Sequence, residues 1–124
     1  MSKGICELGQ LAITVADVQQ SLVFYRDILG LDFLFSPSDN LAFLQCGATR
    51  IMLSTPQGAG EVGKNSIAYF KVDDIDGFCS AAVAAGAREE RPPQLAAQMP
   101  DHELWIGFLK DPDGNLVGIM EEKR

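Results

Sequence analysis

The sequence predicts an α+β fold made of two tandem β-α-β-β-β units, and three observations carry that prediction. First, an alternating apolar run ending in aspartate, Leu11-Ala-Ile-Thr-Val-Ala-Asp17, leads into an amphipathic stretch that stops at Gly30. Ala68-Tyr-Phe-Lys-Val-Asp-Asp74 leads into another that stops at Gly86. Second, Asp17 and Asp74 are 57 positions apart and the two glycines 56, and self-similarity at a fixed period marks a duplicated supersecondary unit. Third, each amphipathic stretch is followed by three short strand candidates separated by turn-forming residues. In a chain of 124 residues, two such halves would be marginal alone. They are expected to share one domain over 1–124, with unit one at about 8–56, a linker at about 56–65 and unit two at about 66–121.

In the first strand, Leu11, Ile13 and Val15 point one way and Gln10, Ala12 and Thr14 the other. Asp17 fits a helix N-cap, with Gln20 three residues on as in a capping box. Val18, Leu22, Tyr25 and Leu29 recur at helical spacing, and Gly30 fits the position just past a helix end, where positive φ suits glycine. Strands follow at Leu31–Phe35, Leu41–Cys46 and Thr49–Ser54, separated by the turn Pro37-Ser-Asp-Asn40 and by Gly47-Ala48. In unit two, Ser66–Val72 reads as a strand, Ile75, Phe78, Cys79, Ala82 and Val83 form a helix face, and Gly86 ends the helix. Ala87–Glu90 is a short strand, and the proline-rich stretch from Arg91 to Pro100 reads as irregular. Glu103–Lys110 and Asn115–Glu121 are strands joined by the turn Asp111-Pro-Asp-Gly114.

The net charge of −7 argues against nucleic-acid binding, which needs clustered Lys and Arg. Cys6, Cys46 and Cys79 lack metal-type spacing and read as reduced, buried thiols. No charged-then-apolar leader opens the chain and no apolar run approaches membrane-spanning length, so a soluble, cytoplasmic protein is expected. Gly58-x-Gly60-x-x-Gly63 has the dinucleotide-binding spacing. A strand rather than a helix is expected after it, so it reads as an inter-repeat linker, and no cofactor is expected.

Three segments carry a family resemblance: Gln10-Leu-Ala-Ile-Thr-Val-Ala-Asp17, Phe24-Tyr-Arg-Asp-Ile-Leu-Gly-Leu31 and Phe108-Leu-Lys-Asp-Pro-Asp-Gly-Asn115. Together they resemble the vicinal oxygen chelate superfamily, which includes glyoxalases, bleomycin-resistance proteins and extradiol dioxygenases. The resemblance covers roughly Leu8 to Glu121. It implies curved mixed sheets, each with its helix on the convex side, around a cleft. In metal-dependent members, four ligands stand on the concave strand positions, two from each unit. Here those positions are Gln10, Met52, Ile67 and Gly118. One amide, one thioether, one alkyl group and a bare backbone are not a set that holds a hard divalent ion, so no metal is expected.

The same register builds an apolar cleft with a few polar groups, the anatomy of an organic-ligand site. Its expected lining is Gln10, Arg50, Met52, Ile67, Tyr69, Gly118 and Met120. If Lys110 pairs with Asn115 across the turn, Trp105, Gly107 and Leu109 join that face, while Phe108 packs with the helix. Trp105 and Tyr69 would offer flat surfaces to an aromatic or cationic ligand, or else close a core or dimer interface. Arg50 suits a ligand carboxylate or a neighbouring surface acid. His102 suits a general base at the cleft mouth or a solvated loop position.

No catalytic residue is assigned. The leading expectation is a metal-free small-molecule-binding protein, resembling bleomycin-resistance proteins and, like them, a homodimer. The alternatives are a lyase, isomerase or dioxygenase of the same superfamily with an atypical or metal-independent site, and a non-catalytic module whose cleft is only a dimer interface.

Overall fold

A computed structural model describes residues 4–56 and 60–124. The chain divides between Val62 and Gly63 into two compact units. Unit one runs β1 (Gln10–Thr14), α1 (Val18–Leu22), a π-helical continuation (Val23–Ile28), β2 (Asp32–Ser38), β3 (Leu41–Cys46) and β4 (Thr49–Ser54). Unit two runs β5 (Ala68–Lys71), α2 (Ile75–Ala84), β6 (Arg88–Gln98), β7 (Glu103–Lys110) and β8 (Leu116–Lys123). Each unit builds its own four-stranded sheet, in the orders β1-β4-β3-β2 and β5-β8-β7-β6. In both, the first strand lies parallel to the last and the remaining pairings are antiparallel. The β-α-β-β-β duplication therefore stands.

Both helices begin as their aspartates predict. The Asp17 carboxylate accepts from the backbone N–H of Gln19 at 3.0 Å and of Gln20 at 3.3 Å. The Asp74 carboxylate accepts from Gly77 N–H at 3.1 Å, in each case satisfying donors that a helix start leaves open. Gly30 and Gly86 take φ of 83° and 111°, the left-handed conformation that ends the helices. The first helix departs from plain α spacing. Leu29 N–H donates to Phe24 C=O at 2.9 Å, a five-residue bond. The wider turn buries Phe24 next to Tyr25, their rings edge to face at 4.9 Å, while Leu29 is only half-buried.

Each helix covers one face of its own sheet. In unit one, Ile13, Ala42, Leu44, Ile51 and Leu53 pack with Val18 and Leu22. In unit two, Leu109, Val117 and Ile119 pack with Ile75, Cys79 and Ala82. Burying such side chains contributes about 1.5–3 kcal/mol each, so these layers hold each unit together. Burial also pushes the Cys79 thiol up to about 11, with Glu89 and Asp76 adding to the rise. Cys79 is the one buried thiol: Cys46 is half-buried and Cys6 exposed.

Two strand expectations fail. The proline-rich stretch is not irregular, because β6 extends through it to Gln98. β6 is the edge of its sheet, where a residue without an N–H is tolerated. Its pairing with β7 breaks register between Arg91 and Gln94, around Pro92 and Pro93. There the strands come so close that a Cβ on Gly107 would lie 3.2 Å from Pro93 N. Second, Lys110 pairs with Leu116, not Asn115. The turn has one residue more than a four-residue reading allows, and Asp111 is the cause. Its fully buried carboxylate accepts from Asp113 N–H at 2.9 Å, Asn115 N–H at 2.8 Å and the Asn115 amide at 2.8 Å. Its own N–H donates to Asn115 C=O at 2.9 Å. The nucleotide-type glycine motif finds no helix. Gly58 lies outside the described residues, and the next element after Gly63 is strand β5.

Removing the Asp111 carboxylate strands buried donors, so Asp111→Ala is expected to lower unfolding stability by about 2–3 kcal/mol, read from urea denaturation. Cys79 supplies a second prediction. With its thiol protonated at neutral pH, a thiol reagent at pH 8 should label Cys6 first and leave Cys79 untouched until the protein unfolds. Because the folded-state value lies above the ordinary one, Cys79's contribution to stability is constant below pH 9 and falls between about pH 9 and 11.

Candidate functional site

Each sheet has one face under its helix and one open face, and strand register decides which residues stand on the open one. In unit one three rows cross the open face. They read Gln10–Arg50–Gln45–Asp32, Ala12–Met52–Phe43–Phe35 and Thr14–Ser54–Leu41–Ser38. The expected face for β1 and β4 is thus observed. Phe43, Gln45 and Phe35 join it, although the sequence reading assigned no faces to β2 and β3. Alternation in Leu41–Cys46 carried the missing signal, since a hairpin partner of β4 must share its faces.

The polar row is tied together. Arg50 Nε donates to Gln10 Oε1 at 2.7 Å, and its guanidinium lies over the Phe43 ring, 5.2 Å from the centroid. The Gln10 amide nitrogen reaches Met52 Sδ at 3.7 Å. Phe43 in turn packs against Phe35, with centroids 4.9 Å apart and planes tilted by 31°.

In unit two the corresponding row reads Tyr69–Gly118–Phe108–Arg91, followed by Lys71–Met120–Ile106–Gln94. Tyr69 and Phe108 meet edge to face at 5.8 Å, and Arg91 lies over Phe108 at 5.8 Å. Ile67 precedes β5 and is exposed, as is Tyr69. Two shallow concavities mark this face. One, of about 350 Å³, is lined by Arg91, Leu95, Ile106 and Phe108. The other, of about 400 Å³, is lined by Asn65, Ile67, Lys110 and Leu116.

Trp105 is a correction. With Lys110 opposite Leu116, Trp105 pairs with Glu121, and Gly107 with Ile119, on the helix-covered face together with Leu109. Glu121 accepts from Ile75 N–H at the start of α2 at 2.9 Å, which confirms the side. Trp105 donates its indole N–H to Glu103 at 3.0 Å and lies under Lys123, which is also paired with Asp76. Phe108, expected under the helix, takes the open-face position instead. A single-residue error in register moved every β7 side chain across the sheet.

His102 lies just before β7, six residues from Phe108, or about 20 Å at the usual strand rise. Its Nδ1 and Asp101 Oδ1 are 2.7 Å apart, and this hydrogen bond, with help from Arg124, holds the Asp101 carboxyl below the usual range.

The four positions where a metal would be ligated can be tested one by one. Gln10 offers the one oxygen donor, and that oxygen is already bonded to the Arg50 guanidinium. A divalent cation there would face a fixed positive charge at close range. Met52 supplies a thioether and Ile67 an alkyl group. At Gly118 the space is taken: a Cβ would lie 2.5 Å from Tyr69 Cδ2 and 2.9 Å from Cγ, so the Tyr69 ring lies where a ligating side chain would begin. These residues do not fit a hard divalent ion. Among the described residues no cluster of three His, Cys, Asp or Glu side chains forms elsewhere.

Comparison with known proteins decides the family. Residues 7–119 match the family model described as Glyoxalase/Bleomycin resistance protein/Dioxygenase superfamily. The chain belongs to this superfamily. A relative from Haemophilus influenzae named lactoylglutathione lyase is 30% identical, covering 90% of this chain and 89% of that protein. Among solved structures, a protein from the mobile metagenome of V. Pseudocholerae superposes with a TM-score of 0.80 at 22% identity, covering 98% of each chain. An antibiotic-binding protein from Streptomyces sp. CB03234 superposes at 0.76 with 19% identity, covering 98% of this chain and 100% of that one. Such superpositions show the shared superfamily fold. No helix among the described residues is long and apolar enough to cross a membrane.

The Tyr69–Gly118 contact makes a direct prediction. Gly118→Ala must displace the tyrosine ring, costing about 1–3 kcal/mol as other overpacking changes do. Combining it with Tyr69→Ala should recover part of that loss in thermal denaturation, giving a coupled double-mutant cycle.

Proposed function

We propose that this chain is a metal-free small-molecule-binding member of its superfamily, holding a flat organic ligand against an open sheet face. One observation carries the reading. Two of the superfamily's four metal positions are taken up by other contacts: Gln10 is bonded to Arg50, and Tyr69 covers Gly118. Around them stands ligand-binding material, with flat rings at Phe35, Phe43, Tyr69 and Phe108, adaptable thioethers at Met52 and Met120, and a few polar groups. The Streptomyces protein of the same fold, described as antibiotic-binding, supports the same kind of use. The aromatic part of the expected ligand keeps its support. The cationic part loses one of its two flat surfaces, since Trp105 stands on the other face, and Tyr69 shares the open faces with Arg50 and Arg91.

A second reading, an enzyme with a metal-independent site, is favoured by the name of the Haemophilus relative. It would have to proceed without the Lewis acid that polarises adjacent oxygens in such chemistry.

The experiment is a thermal-shift series on the purified protein, with divalent metals in one arm and flat aromatic compounds in the other, alongside elemental analysis. The expected result is no melting shift with Zn²⁺, Ni²⁺ or Mn²⁺ and a concentration-dependent rise with at least one aromatic compound, since a ligand that binds the folded state stabilises it by mass action. A stoichiometric divalent ion retained through purification, or metal-dependent formation of lactoylglutathione, would overturn the proposal.

A further inference from the structure

Arg50 differs from most of the described cations, and shares with Arg88 and Arg91 the lack of a carboxylate partner among the described residues. The protein carries 17 acidic residues against 10 basic ones, and most of its described cations have found a carboxylate. Arg26 pairs with Asp27, Lys71 with Glu122, Lys110 with Glu90, Lys123 with Asp76, and Arg124 with Asp101 and Glu122. Arg50 has none among the described residues. Its contacts are a neutral amide, Gln10, and an aromatic ring, Phe43. The acid in its own row, Asp32, stands two strands away, about 10 Å at normal strand spacing.

Those two contacts hold the guanidinium in place without neutralising it. Nε is committed to Gln10, and the Phe43 ring lies beneath the group. The two terminal nitrogens are left to donate from an oriented fork, the geometry that a carboxylate accepts in bidentate fashion. Arg91 also lies over its phenylalanine, but it stands on edge strand β6 and no described side chain bonds its guanidinium. Beside Arg50 runs the row Ala12–Met52–Phe43–Phe35, which gives a flat apolar body somewhere to lie two residues along the strand, about 7 Å away.

We propose that Arg50, held by Gln10 and Phe43, selects the ligand of unit one's open face, and that this ligand is a small, flat, carboxylate-bearing organic acid. The proposal rests on the small-molecule-binding reading above and adds the sign of the ligand's charge. Arg50 anchors the carboxylate, and the aromatic body rests on the Met52 and Phe35 side of the face.

The test uses three probes of one shape: 2-naphthoate, its neutral amide and 2-naphthylmethylammonium. Each is titrated into the ¹⁵N-labelled full chain and followed by amide chemical shifts. The expected order is naphthoate tightest, by about tenfold or more over the amide, as befits charge-assisted hydrogen bonds, with shifts centred on Arg50, Met52 and Phe35. Arg50→Met should abolish the preference for the acid while leaving amide affinity within about twofold, because the apolar row is intact. Arg50→Lys should keep part of the preference, since charge remains and the fork does not. Arg50 is exposed, so these variants are expected to fold, and Gln10→Ala provides a second route by releasing the guanidinium without removing it. If the amide or the ammonium binds as well as the acid, or if Arg50→Met leaves the ratio unchanged, the selection by Arg50 is wrong while small-molecule binding survives. If no probe of any charge perturbs the open face, both proposals fall.

Discussion

The buried Asp111 carboxylate governs more of this protein than any other single group. It gathers two backbone N–H groups and the Asn115 amide into one turn and so sets where β7 meets β8. Everything on the unit-two sheet depends on that meeting. Lys110 opposite Leu116 puts Phe108 and Ile106 beside Gly118 and Met120 on the open face, and Trp105, Gly107 and Leu109 under the helix. A strand has only two faces, so a turn longer or shorter by one residue would exchange the whole set. A local hydrogen-bond network thus decides which chemistry the unit presents.

The two units share a frame and differ in the side chains they place on it. Equivalent rows read Ala12–Met52–Phe43–Phe35 in unit one and Tyr69–Gly118–Phe108–Arg91 in unit two. The phenylalanine on the third strand is common to both, and in both an arginine lies over it, from β4 in one unit and β6 in the other. The volume of the row is redistributed. Where unit one has a small residue at Ala12 and a long one at Met52, unit two has a large ring at Tyr69 and no side chain at Gly118. Close packing makes these pairs complementary, so neither member can be read without its neighbour.

Much of this was legible in the sequence. The duplication, both aspartate caps, both glycine stops and the open face of β1 and β4 follow from periodicity and from local hydrogen-bonding chemistry. Three things were not. The π-helical turn is set by the burial of Phe24 beside Tyr25, a tertiary preference that α spacing does not express. The strand through Pro92 and Pro93 depends on β6 being an edge, which is a fact of topology. The position of Trp105 depended on the length of the Asp111 turn, and Asp-Pro-Asp-Gly alone does not say that Asn115 belongs to it. Each miss lies where a local pattern was settled by a contact made elsewhere in the unit. The residue types at the four metal positions can be named from the sequence, but the contacts that occupy Gln10 and Gly118 are visible only in the fold.

The Tyr69 ring over Gly118 bears on the routes by which this protein can change. A chelating side chain cannot enter at position 118 while the ring is there, since even its first carbon would overlap Cδ2. Loss of the tyrosine alone uncovers backbone and supplies no ligand, and Gln10 would still have to be released from Arg50. Assembling a full set of ligating side chains at the four positions therefore takes several substitutions together. The contact acts as a latch: other open-face positions can change singly, while a side chain at position 118 has to wait for the ring to leave.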